Sequence, residues 1–349
     1  MQEDNSMKKG KATLNDVANT AGVSPATVSR VLNHRSIVKP DTLRQVENAM
    51  QTLGYTPKGC EPEPYDNVSL IVLNIPSSNS LFYHEITHGA FECAKANDYY
   101  LIINEYTLTE ASAAEYCNLL RRVKAAGVIM LNSVSEQFLS TIQEVCPVIQ
   151  CCEYNDQTAF SYVSIDDYRS AWDATNHLIS CGCDKIAMLN GPSCYNYAIR
   201  RRAGFLDALN TAGIAIPENW IASIADINYD MAFSACYRLL SFDNAPKAFF
   251  AVSDVFAIAA VNAAKQFHLR VPEDVMVVGF DNLDISRMTS PAITTVNQPR
   301  TQMGYTAFEL LQDRIQNPAD TPKSVILNTE LIVRSTTMRS TQPETNQKI

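Results

Sequence analysis

The stretch TLNDVANTAGVSPATVSRVLN, from Thr13 to Asn33, encodes two short helices and the turn between them. Thr13 is a good N-cap, and Asp16 stands three residues on, where a carboxylate can answer the cap's own amide. Leu14, Val17, Ala18 and Ala21 follow at i, i+3, i+4 and i+7, an apolar stripe of helical period. Gly22 ends that helix, where a residue free to take positive φ is needed for a tight turn. Ser24 caps a second helix with Pro25 at its first position, a favourable arrangement. Val28, Val31 and Leu32 form its inner face, which leaves Pro25, Ala26, Thr27, Ser29 and Arg30 facing outward. Leu43, Val46, Met50 and Leu53 give a third helix its buried stripe, and Gly54 closes it. Two helices joined by a tight turn, the second displaying hydroxyls and an arginine, form a helix-turn-helix.

At 349 residues the chain is long enough for two or three domains, and 46% apolar content supports real cores. The net charge of −9 hides an asymmetry. Between Lys8 and Lys58, eight Lys and Arg stand against three acids (Asp16, Asp41 and Glu47), so the acidic excess lies further on. A basic head on an acidic body points to a nucleic-acid-binding module attached to something else. A plain three-helix bundle is the competing reading. The local charge and the small, polar outer face of the second helix stand against it.

The string quoted above, continued without a gap by VKPDTLRQVENAMQTLGYTP, resembles the headpiece of the LacI/GalR family of bacterial transcription regulators. The resemblance implies that the second helix lies in the major groove of operator DNA. Pro25 and Ala26 then occupy the reading positions, suited to a thymine methyl, and Arg30 reaches a guanine edge. Thr13, Ser24, Thr27, Ser29 and Asn33 become candidate phosphate contacts, which set register without reading sequence. Tyr55 is similar to the family's headpiece tyrosine, lying against the DNA backbone or the core.

Beyond residue 67 the chain alternates strand-like runs with helical stretches. The runs are VSLIVLNI, YYLIIN, GVIMLN, PVIQCC, KIAMLNG, WIASIA, KAFFAV and VMVVGFD. Between them lie the amphipathic segments Glu110–Lys124, Asp167–Cys181, Ala198–Ala212 and Val255–Phe267. Nearly continuous apolar strands between helices imply α/β architecture with parallel sheets covered on both faces. There are too many strands for one compact sheet, so the expectation is two doubly wound lobes with a ligand cleft between them.

This body resembles the periplasmic-binding-protein-like sensor domain of the same family, through VSIDDYRSA, IAMLNGP with RRAGFLDAL, VSDVFAIAAV, VPEDVMVVGFDN and TTVNQPR. The resemblance implies three crossings between lobes, near Asp167, Asn297 and Lys323. Residues 1–11 and 341–349 are expected to be disordered tails, 12–57 the headpiece, 58–67 a linker and 68–340 the effector-binding and dimerisation domain. Its first lobe would take about 68–167 and 298–323, and its second about 168–297 and 324–340. In the effector cleft, Arg201 would grip a polar group, and Asp281 would accept hydrogen bonds from hydroxyls or ring NH groups. Asp166 would face the cleft from a strand end, with Ser253 and Asp254 beside it. Phe82, Tyr83, Tyr195 and Tyr197 would add aromatic contacts. Ile227 stands where many members carry an aromatic platform, which removes a stacking partner and leaves a sugar, a sugar phosphate and a nucleoside all open.

Four features test these expectations. HEITH, at His84–His88, is the H-E-x-x-H spacing of a zinc hydrolase, which would need a third ligand. The following GAFECAK departs from the longer H-x-x-G-x-x-H signature, and the helix reading puts Ile86, Ala90 and Phe91, with Cys93 and Ala94, on a buried side. No metal, cofactor or catalytic residue is therefore expected, and the chain is read as a regulator. Ten cysteines without a C-x-x-C pair read as free thiols of a reducing compartment. No apolar run reaches membrane-spanning length and the N-terminus lacks a secretion signal, so a cytoplasmic, nucleoid-associated protein is expected rather than a secreted solute-binding protein. The linker GCEPEPYDN departs from the family's hinge helix: Glu61 and Pro64 replace its alanine and leucine, with Pro62 and Glu63 between. Two prolines oppose a helix, and two carboxylates oppose approach to phosphate. The expected assembly is a homodimer on a roughly palindromic operator, open to help from a second DNA-bound regulator.

Overall fold

Local signals alone set the first three helices. The computed structural model describes residues 12–33, 38–53, 55, 69–106, 108–155 and 159–339. Residues 1–68 and 69–349 form two separate units. In the first, α1 (Leu14–Ala21), α2 (Pro25–Asn33) and α3 (Pro40–Leu53) enclose a core of Val17, Ala18, Val28, Val31, Val46 and Ala49. Thr13 and Asp16 close a reciprocal capping box, with the Thr13 amide donating to Asp16 Oδ2 at 2.7 Å. These hydrogen bonds hold the Asp16 carboxyl below its ordinary range. Gly22 turns the chain with φ of 67°, and Ser24 Oγ accepts from the Thr27 amide at 3.2 Å. Gly54 and the Glu61–Pro64 linker lie outside the described residues.

The second unit holds two six-stranded sheets. The chain first lays down β1 (Ser69–Ile75), α4 (Leu81–Ala96), β2 (Tyr99–Glu105), α5 (Ala113–Arg122), β3 (Ala125–Met130), α6 (Glu136–Gln143), β4 (Val148–Cys151) and β5 (Tyr162–Ile165). It then crosses to α7 (Asp167–Ser180), β6 (Ile186–Asn190), α8 (Asn196–Thr211), β7 (Ile221–Ser223), α9 (Tyr229–Leu240), β8 (Ala248–Ala251), α10 (Asp254–Gln266), β9 (Met276–Asp281), α11 (Asp284–Met288) and β10 (Thr294–Asn297). It returns through α12 (Arg300–Gln316) and β11 (Ser324–Leu327), and ends in β12 (Glu330–Ile332).

The first sheet runs β11-β5-β4-β3-β1-β2, with every pairing parallel. The second runs β12-β10-β9-β8-β6-β7 and is parallel except for β12, which pairs antiparallel with β10. Strands β4, β6, β8 and β9 are buried at every position, as parallel strands covered by helices on both faces must be. A helical headpiece followed by two doubly wound lobes is thus the architecture expected from the sequence.

Two expectations are corrected. β11 pairs with β5, so 324–327 belong to the first lobe, and the third crossing falls at Asn328 and Thr329 rather than near Lys323. Phe91 is exposed, whereas Ile86, Gly89, Ala90, Cys93 and Ala94 are the buried side of α4. The reason is α12, which crosses α4 so closely that a Cβ on Gly89 would meet Thr301 O at 1.9 Å, and one on Gly304 would meet Ile86 O at 1.8 Å. Glycine lets two backbones touch there, and Phe91 sits on the far side of that contact.

Candidate functional site

On the headpiece, Pro25, Ala26 and Arg30 are exposed along α2, while Thr27 and Ser29 are half-buried. Thr13 and Ser24 stand at the N-termini of α1 and α2, where first-turn amides suit anionic oxygens. The Ser24 and Thr27 hydroxyls lie 2.9 Å apart. Tyr55 is half-buried and packs against the headpiece core. The Asn33 side chain lies outside the described residues.

In the second unit a cavity of about 450 Å³ opens between the two sheets. Phe82, Tyr83, Tyr195, Tyr197, Arg201, Ser253 and Asp281 all line it, together with Ile227. Phe82 and Tyr83 meet edge to face at the start of α4, with ring centroids 5.3 Å apart. Tyr195 and Tyr197 stack at the start of α8, at 5.7 Å. Each lobe thus supplies one aromatic pair.

Arg201 is buried and held from several sides. Its Nε donates to Asp167 Oδ1 at 2.7 Å, its Nη1 donates to the Val252 carbonyl at 2.7 Å, and Asp281 Oδ1 lies 3.8 Å away. The guanidinium also packs over the Phe280 ring, 3.5 Å from its centroid. Asp281 Oδ1 accepts from Gln298 Nε2 at 2.7 Å, a contact from the start of the returning segment. Asp281 and Asn282 both hold positive φ, 102° and 51°, a strained backbone of the kind that persists where a site over-determines it. Burial pushes the Asp281 carboxyl up to about 6, although Arg201 and Arg300 pull the other way. Burial also raises Asp167 against the pull of Arg201.

Asp166 and Asp254, expected in the cleft, do not line it. Asp166 is exposed and caps α7 by accepting from the Arg169 amide at 2.9 Å. Its neighbour Asp167 takes the inward position, because the chain turns from strand to helix between the two. Asp254 is fully buried behind the wall, and its Oδ2 accepts from the Leu283 amide at 2.7 Å. Burial, with the nearby Asp281 charge, lifts it to about 8.

Sequence reasoning missed Glu153, which lies just beyond β4 in the first lobe. Its Oε2 accepts from the Asn196 amide at 2.9 Å and its Oε1 from the Tyr197 amide at 3.4 Å, so it caps α8 of the second lobe across the cleft. Burial pushes it up to about 7. The run CCEYN gave no local cue, since the partner amides lie in a different lobe. Gln298 was within reach, inside the quoted TTVNQPR.

HEITH straddles α4, with Ile86 in the core and the two histidines on the outer side. His84 and His88 are exposed, and Glu85 pairs at 3.0 Å with the buried Arg300, whose Nη2 also donates to the Asn282 carbonyl at 3.2 Å. That carboxylate links a helix to a buried guanidinium and is not placed to activate a metal-bound water. Among the described residues no three His, Cys, Asp or Glu are grouped to hold a metal, nine cysteines are free, and no helix is long and apolar enough to cross a membrane.

A helix-turn-helix unit joined in one chain to a two-lobed cleft of this build defines a ligand-responsive DNA-binding regulator. The lacI family of bacterial regulatory proteins matches residues 13–58, and a periplasmic binding protein-like domain matches 175–337. The chain is 32% identical to the HTH-type transcriptional repressor CytR of Escherichia coli K12, over 93% of this chain and 96% of that one. Among solved structures it is similar to the lac repressor dimer bound to operator (TM-score 0.72, 27% identity, 95% of this chain and 100% of that one). It is similar also to a complex of the transcriptional regulator CelR with cellobiose (TM-score 0.70, 29% identity, 93% and 99%). The chain belongs to the lacI family. It is a sequence-specific DNA-binding regulator of transcription with effector-controlled operator binding, and not an enzyme.

Proposed function

We propose that the cavity between the lobes is the effector site and that its occupancy sets the operator affinity of a homodimeric repressor. The observation that carries this is convergence: seven side chains chosen from separate sequence marks, from Phe82 to Asp281, meet on one cavity with a buried guanidinium at its centre. Arg201 grips a polar group, Asp281 accepts from hydroxyls or ring NH groups, and the two aromatic pairs hold the ring from opposite lobes. A ligand that binds one lobe arrangement better than the other shifts the equilibrium between them by that difference alone. The similar regulator CelR binds cellobiose in its solved complex, which keeps sugars in view beside sugar phosphates and nucleosides.

On DNA, Arg30 reads a base edge with Pro25 and Ala26 beside it, and Thr13, Ser24, Thr27, Ser29 and Asn33 contact phosphates. The homodimer forms through the edge strand β2 and its neighbour α4. There Phe91, Tyr100, Ile102 and Ile103 are exposed, an apolar edge that proteins otherwise cover or charge. The lac repressor similar to this chain is itself a dimer. Residues 12–57 act as the reader, 58–67, which lie outside the described residues, as the linker, and the remainder to about 340 as the sensor, with operator recognition resting on the two headpieces. A second DNA-bound regulator would supply the grip that a hinge helix gives elsewhere, and the protein works in the cytoplasm, at the nucleoid.

A gel shift with full-length protein on the region upstream of its own gene tests the proposal. Specific retention should respond to a small metabolite in the wild type and should not respond in Arg201→Met. A response that survives the substitution moves the effector site elsewhere. Footprints on operators with lengthened spacers test the linker: a sharp loss on adding a single base pair would show that a rigid hinge forms.

A further inference from the structure

We infer that the cleft selects an uncharged, hydroxyl-bearing ring compound, an unphosphorylated sugar or nucleoside, and rejects its phosphate esters. This rests on the reading of the cleft as the effector site and narrows it to one ligand class. The natural seat for phosphate is a helix N-terminus, where free amides and the helix dipole favour negative charge. The 16-residue helix α8 opens toward this cleft, but Glu153 already sits on its first amides, at 2.9 and 3.4 Å. The protein supplies its own carboxylate where an ester's phosphate would bind.

The other seat would be a guanidinium. Among the described residues Arg201 is the only cation lining the cavity; its Nε and Nη1 donate to Asp167 and the Val252 carbonyl and Asp281 lies at 3.8 Å, so its charge is already answered by two carboxylates and it meets a ligand as a hydrogen-bond donor. The other buried arginine at this level, Arg300, does not line the cavity and is paired with Glu85. Four acids line the walls, namely Glu153, Asp167, Asp226 and Asp281. A phosphate brought among them meets like charge in a partly desolvated space, and the one lining cation among the described residues already balances Asp167 and Asp281. Hydroxyls suit the same walls, because buried carboxylates accept from them. The flat faces of Tyr195, Tyr197 and Phe82 suit the apolar face of a sugar or a base, and about 450 Å³ accommodates either.

Calorimetric titration of the full-length protein tests this with adenosine, cytidine, glucose and cellobiose, each beside its phosphate ester. At least one uncharged compound should bind, and its ester should bind about a hundredfold more weakly or worse, the scale of one like-charge contact. Glu153→Gln keeps an acceptor on the α8 amides and removes the charge, so it should close most of that gap. An ester that binds as tightly as its parent overturns the inference, as does a gap unchanged in Glu153→Gln or a panel in which nothing binds. Arg201→Met should abolish binding of the uncharged compound. Because that variant can lose its fold, Tyr195→Ala serves as a second test, removing an aromatic face from the cleft without touching an ion pair or a helix cap, and it should weaken binding at least about tenfold. Binding that survives both variants overturns the effector-site reading itself, whatever the preference between parent and ester.

Discussion

The headpiece and the cleft solve opposite problems. The headpiece carries its candidate contacts on the outside of one continuous stretch, over a core of a few valines and alanines. The cleft assembles its contacts from segments far apart in the chain and places charge inside, with Arg201, Asp167 and Asp281 all buried. An exposed reading residue can change without disturbing the fold beneath it. A buried charged one cannot, because each partner is what makes the other tolerable in a dry interior.

The largest effect expected from that difference is at Arg201. Replacing it with Met leaves Asp167 and Asp281 buried beside a group that no longer answers them, and breaking such a set costs about 3–5 kcal/mol. Thermal unfolding of the sensor should therefore shift down by several degrees, with any effector response lost. A variant that melts like the wild type would mean that the carboxylates are relieved by solvent or protonation. The counterpart on the headpiece is Arg30→Ala. Stability should stay within about 0.5 kcal/mol of wild type, as for most exposed changes, while preference for operator over random duplex falls by about 1–3 kcal/mol. Competition binding at fixed salt reads that ratio. An equal loss on both duplexes would make Arg30 a phosphate contact and not a reader.

The same contrast governs what was legible in the sequence. Capping at Thr13, the turn at Gly22 and the stripe from Leu14 to Ala21 depend on residues within one helical turn of each other, so they could be read directly. β1, β3, β4, β6, β8 and β9 stood out as apolar runs because both faces are covered. β11 and β12 are short and half-exposed, which is why the last crossing was placed too early. In the cleft, Arg201 and Asp281 emerged from the family resemblance, while Asp166 was chosen over Asp167 because a motif does not say which of two adjacent acids turns inward. Glu153 was illegible for a deeper reason. Its role exists only once α8 has been brought across from the other lobe.

Glu153 also gives the cleft a pH dependence of opposite sign to that of the headpiece, where the lowered Asp16 carboxyl favours the fold more as pH rises. Its folded-state pKa of about 7 lies above the ordinary glutamate value of 4.5, with burial as the main cause. A raised acid is easier to protonate folded than unfolded, so its ionised form penalises the fold. The penalty is complete above the folded value and disappears as pH falls toward the ordinary one. Glu153→Gln removes that dependence. The melting difference, variant minus wild type, should therefore grow more positive from about pH 5 to about pH 8, by the equivalent of ~2–3 kcal/mol. Asp281 and Asp254, raised to about 6 and about 8, contribute slopes of the same sign in both proteins and cancel in the difference. A flat difference would mean that the interlobe cap stays ionised throughout.

The smallest effect belongs to the turn on which the headpiece reading began. Gly22 holds φ of 67°, and an added Cβ would meet nothing within 4 Å. Crowding therefore plays no part in the substitution Gly22→Ala, and only the left-handed backbone is at stake, at about 1 kcal/mol. Asn tolerates that conformation better than Ala and should lose less. Hydrogen exchange on the full-length protein separates this from a global effect. Amides of α1 and α2 should lose protection by about fivefold in the alanine variant, in line with that cost, while amides of β6 and β8 stay unchanged. Equal loss in both regions would couple the two units energetically, and the division between a reader and a separately stable sensor would then fail at its smallest joint.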